Sequence, residues 1–81
     1  MRQNMSTENS DYGVVLFHTN SAALRAEKVL LREGLKNKLI PTPRQFSSDC
    51  GIALRFDRNE ETRLREILES AGVPIGSIHI L

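Results

Sequence analysis

Cysteine is nearly absent from this chain: one of its 81 residues is Cys, at position 50. A lone thiol excludes an internal disulfide, so nothing covalent staples the fold. Tryptophan is missing, and aromatics are limited to Tyr12, Phe17, Phe46 and Phe56. So few rings leave little to stack on unpaired bases. Neither sign of charge is in excess, because 11 Lys and Arg stand against 10 Asp and Glu, giving a net +1. The two signs are interspersed, and no nucleic-acid partner is expected without a concentrated basic run. No stretch approaches the roughly 20 apolar residues that cross a bilayer. Met1–Asp11 is polar and lacks the apolar core of a secretory signal. These absences point to a cytoplasmic chain without a membrane partner, where a thiol stays reduced.

What is present is one domain's worth of alternating patterns, since so short a chain cannot divide its apolar surface between two cores. Residues 1–11 read as a flexible leader and residues 12–81 as the folded domain. Tyr12 to His18 is a short apolar run suited to a central strand. His18-Thr19-Asn20-Ser21 then supplies helix-capping side chains. From Ala22 to Glu33 the spacing is helical, with Ala23, Ala26, Val29 and Leu30 on one stripe and Gly34 placed to end the helix. Lys38-Leu39-Ile40 opens a second strand that Pro41 and Pro43 stop.

Pro41 to Gly51 is irregular and long for a strand connection, which invites a functional reading. Ile52, Leu54 and Phe56 alternate with Ala53 and Arg55 in a third strand. Asp57 and Glu60 are spaced as a capping box ahead of a second helix whose stripe is Leu64, Ile67, Leu68 and Ala71. Glu61 and Arg65 have the favourable order for a helical ion pair. Gly72 and Pro74 end that helix, and Ile75 to Leu81 form a last strand. The order strand–helix–strand–strand–helix–strand predicts an α+β, ferredoxin-like fold: a four-stranded antiparallel sheet ordered 4-1-3-2 with both helices on one face.

This topology starts the third strand at the edge where the first strand ends. Cys50 is thereby expected near His18 and the opening turn of the first helix, Thr19 to Ala23. The unpaired N–H groups and partial positive charge of a helix N-terminus favour a thiolate. His18 could take the thiol proton or stabilise the thiolate, or simply end the strand. Arg44 could hold the loop by pairing with Asp49 or bind an anion. Ser48, Thr19 and Asn20 complete the candidate binding residues. Against this stands parity, which puts Cys50 on the face of Ile52, Leu54 and Phe56 that helices should cover. His79 reads as structural. Two histidines and one cysteine have no zinc spacing, so neither metal nor cofactor is expected.

Val14-Val15-Leu16-Phe17-His18, Ala23-Leu24-Arg25-Ala26-Glu27-Lys28, Leu39-Ile40-Pro41-Thr42-Pro43-Arg44 and Ser47-Ser48-Asp49-Cys50-Gly51 together resemble a family of small bacterial proteins described as selenium/sulfur carrier-like. The likeness covers nearly everything after residue 11. It implies that Cys50 holds sulfur or selenium as a persulfide or selenosulfide. It further implies a carrier rather than a turnover enzyme, loaded by a donor such as a cysteine desulfurase or related lyase and unloaded by an acceptor protein. The alternative is a non-catalytic regulatory or protein-interaction domain.

Overall fold

The computed structural model describes residues 11–46 and 50–81. The expected leader, apart from Asp11, lies outside them, as do Ser47, Ser48 and Asp49. Six regular elements follow in order: β1 (Tyr12–Leu16), α1 (Asn20–Arg32), β2 (Asn37–Pro41), β3 (Ile52–Asp57), α2 (Glu61–Ser70) and β4 (Ser77–Ile80). A single 3₁₀ turn, Arg58–Glu60, leads into α2. The strands form one antiparallel sheet ordered β2-β3-β1-β4, which is the expected order counted from the other edge.

Register assigns the two faces. Val15 sits opposite Leu54 and Gly13 opposite Phe56. These side chains share a core with Phe17, with Ala22, Ala23, Ala26 and Leu30 of α1, and with Leu64 and Leu68 of α2. The alanine stripe brings α1 close to the sheet, and each fully buried leucine contributes about 1.5–3 kcal/mol over an exposed one. Gly13 is required by the Phe56 ring above it: a Cβ there would lie 2.6 Å from Phe56 Cζ. The opposite face has a smaller core of Val14, Leu16 and Ala53, packed against Ile40, Phe46 and Leu81. Phe46 belongs to the long β2–β3 connection. Its ring stacks on His79 of β4 at 4.3 Å, so this connection folds back over one end of the face that carries no helix.

Both helices end alike. Gly34 N donates to Leu31 O (3.0 Å) and Leu35 N to Leu30 O (2.9 Å); Gly72 N donates to Glu69 O (3.1 Å) and Val73 N to Leu68 O (2.9 Å). This is the Schellman arrangement, with glycine in the left-handed region (φ +78° and +72°) and the next apolar residue, Leu35 or Val73, returned to the core. Each helix also lends an arginine to the other's end. Arg25 donates to Ala71 O (2.9 Å) and Arg63 to Glu33 O (2.7 Å), placing cations at the negative helix termini.

The starts of the helices differ from expectation in detail. Asp57 accepts from Asn59 N (2.9 Å), and Glu60 pairs with Arg63 (3.2 Å), so a 3₁₀ turn replaces the expected capping box. The ion pair between Glu61 and Arg65 forms at 3.1 Å. The last strand starts at Ser77, not Ile75, and just before it Gly76 N donates to Leu16 O (2.8 Å). No helix of the described residues is long and apolar enough to cross a membrane.

Candidate functional site

Four chain segments meet at one edge of the sheet: the end of β1, the start of α1, the end of β2 and the entry to β3. Pro41 pairs with Ile52 there, and Leu16 with Ala53. The β2–β3 ladder is carried one step further by Thr42, whose N–H donates to Gly51 O (3.1 Å). The Thr42 hydroxyl donates to Cys50 O (2.8 Å). Thr42 thus closes the neck of the long connection and fixes the backbone that carries Cys50.

Cys50 itself is 2% exposed and belongs to the helix-covered core. The face expected from strand parity is therefore the face it occupies. Its thiol lies within reach of two acceptors, Asn20 Oδ1 at 2.9 Å and Ile52 O at 3.1 Å. Asn20 is the first residue of α1, so the sulfur rests beside the opening turn of that helix. Thr19 caps the same turn, its Oγ1 accepting from Ala22 N (3.1 Å).

The first turn of α1 contains no acidic residue, whereas that of α2 contains Glu61. A helix N-terminus carries roughly half a unit of positive charge, offset in most helices by such carboxylates. Polar groups near the α1 terminus include the Thr19 hydroxyl, the Asn20 amide and the Cys50 sulfur. An amide is a versatile neighbour for sulfur, since its oxygen accepts from a thiol and its NH₂ can donate to an anion after rotation.

The other sequence-derived candidates are distributed unevenly. His18 is exposed, and its ring lies on the Gly76 side, the β4 flank of β1, while Cys50 leads into β3 on the opposite flank. Arg44 is exposed in the turn closed by Phe46 N donating to Pro43 O (3.0 Å). Asp49 and Ser48 lie outside the described residues, and with them the Arg44–Asp49 pair. Sequence reasoning passed over Thr42, although a hydroxyl residue directly after a strand-ending proline is a signal for a loop-closing bond. It also missed Phe46, an isolated aromatic without periodicity. Among the described residues, no group of three or more His, Cys, Asp or Glu side chains is gathered as a metal site.

No curated protein and no solved structure gives a match to this chain. The sequence family described as "Putative Se/S carrier protein-like" matches residues 12–80, all but the first eleven residues and the last. The chain belongs to that family.

Proposed function

We propose that the protein is a sulfur or selenium carrier with a ferredoxin-like split βαβ fold, and that Cys50 is the atom-bearing residue. Supporting this reading, beyond the family, is one observation: the chain's single thiol lies 2.9 Å from the side chain that opens α1, a helix whose first turn lacks a carboxylate. In the loading step the Cys50 thiolate attacks the terminal sulfur of a donor cysteine persulfide. A new S–S bond forms on Cys50, the donor's S–S bond breaks, and the donor cysteine leaves as thiolate, so no external oxidant is consumed. With a selenosulfide donor the same attack falls on selenium. Release to an acceptor thiol is the reverse exchange, because this chain has no second cysteine to resolve the adduct.

A thiol this buried exchanges only if it is uncovered. Among the bonds that must yield are Sγ to Asn20 and Ile52 and the Thr42 bonds at the neck. Asn20 steadies the loaded atom through its amide, and Arg44, Thr19, Ser48 and Asp49 are the proposed surrounding contacts. The donor is a cysteine desulfurase or related lyase, the acceptor a second protein, and the setting the cytoplasm.

Incubating the chain with a desulfurase and cysteine, followed by intact-mass and peptide mass spectrometry, tests this. One reducible sulfur on the peptide containing Cys50, absent from Cys50→Ser, is the expected result. An unmodified Cys50 beside a loaded control carrier refutes it. The burial of Cys50 favours one rival, an interaction domain in which Cys50 is only a core residue. That rival predicts that Cys50→Ser retains every activity of the protein.

A further inference from the structure

At the sheet edge opposite Cys50, a shallow concavity opens between the start of β2, the end of β3 and the start of β1. Its lining includes Tyr12, Leu31, Lys36, Lys38, Arg55 and Asp57. Three cations line it: Lys36 and Lys38 are neighbours in sequence, and strand pairing adds the distant Arg55, which lies opposite Lys38 in the β2–β3 ladder. Arg55 is already held in place, its guanidinium 4.4 Å from the centre of the Tyr12 ring. The one carboxylate in the lining, Asp57, accepts from Asn59 N through one oxygen and keeps its charge. The concavity therefore faces solvent with three cations against one carboxylate.

It is also partly apolar. Tyr12 is 41% and Leu31 57% exposed, among the few large hydrophobic side chains left at the surface. Mixed cationic and apolar lining fits a partner with both characters. A peptide offers carboxylates and apolar side chains together, which a phosphodiester backbone does not.

We propose that this concavity docks an acidic peptide segment of a partner protein, its carboxylates meeting Lys36, Lys38 and Arg55 and an apolar side chain resting on Leu31 and Tyr12. The site is independent of Cys50: the two lie at opposite edges of the sheet, so a docked segment leaves the thiol edge uncovered. Oppositely charged surfaces steer association and fix register, and their contribution falls with salt.

The test titrates the full chain with a fluorescein-labelled peptide of alternating glutamate and leucine, read by anisotropy and by amide chemical-shift mapping. A labelled oligothymidylate and a lysine–leucine peptide serve as controls. Expected are saturable, salt-sensitive binding of the acidic peptide and shifts centred on Tyr12, Lys36–Lys38 and Arg55. Lys38→Glu combined with Lys36→Glu should weaken binding by about tenfold or more; both side chains are exposed, and an unchanged urea midpoint confirms folding. Cys50→Ser should bind as the wild type does, which separates this site from the carrier reading. The proposal is overturned by absence of binding, by binding that the charge reversals leave intact, by shifts mapping elsewhere, or by oligothymidylate binding as tightly as the acidic peptide.

Discussion

The two halves of the chain, β1-α1-β2 and β3-α2-β4, finish their helices identically and begin them differently. Both helices end on a left-handed glycine, a returning apolar residue and an arginine supplied by the other helix. At the beginnings the likeness stops. The α2 end has Asp57 on its 3₁₀ turn and acidic Glu60 and Glu61 beside it, so its positive terminus is answered from within. The α1 end has a neutral cap, Thr19, and a neutral first residue, Asn20, whose side chain meets the sulfur of Cys50. Where the halves agree, the arrangement serves folding alone. Where they part, one helix terminus has a carboxylate and the other has the Cys50 sulfur beside it.

The largest effects should show that the frame is shared. Leu30→Ala in α1 and Leu64→Ala in α2 each remove a fully buried side chain from one core, and each should cost about 2–5 kcal/mol in urea unfolding. If one proves nearly silent, the halves are not a single cooperative unit. Next come the glycines. Gly34→Val and Gly72→Val force β-branched side chains to positive φ and should each cost about 1–3 kcal/mol; a marked inequality would break the claimed likeness of the helix ends. The caps follow, with Thr19→Ala and Asp57→Ala each expected to cost about 1 kcal/mol. They sharpen the comparison through a second readout, because Thr19→Ala should also alter the alkylation rate of Cys50 and Asp57→Ala should not. Smallest are Arg25→Ala and Arg63→Ala, about 0.3–1 kcal/mol each from exposed charge at a helix C-terminus.

Much of this architecture was legible beforehand because it is written in local, periodic signals. The stripe through Ala23, Ala26 and Leu30, the stop at Gly34 and the alternation of Ile52, Leu54 and Phe56 each follow from one element's own geometry. The antiparallel pairing of β1 with β3 then sufficed to bring Cys50 to the start of α1. What escaped depended on contacts between remote single residues. Phe46 reaches back to stack on His79 from a segment without periodicity. Lys36, Lys38 and Arg55 read as dispersed charge until strand register gathered them around Tyr12. The 3₁₀ turn before α2 differs from the expected capping box in which N–H the Asp57 carboxylate takes and in the pairing of Glu60 with Arg63, choices that residue types alone leave open.

As a carrier, the buried thiol would have to be uncovered by a local event at the Thr42–Cys50 neck, without unfolding of the domain. Native-state alkylation of Cys50 across low urea concentrations measures this directly, since local openings expose little new surface and global unfolding exposes most of it. A local opening should give a rate nearly flat in low urea and raised several-fold by Thr42→Ala beyond any change in overall stability. A rate that climbs with the full urea dependence of global unfolding, and that Thr42→Ala changes only in step with stability, would contradict it.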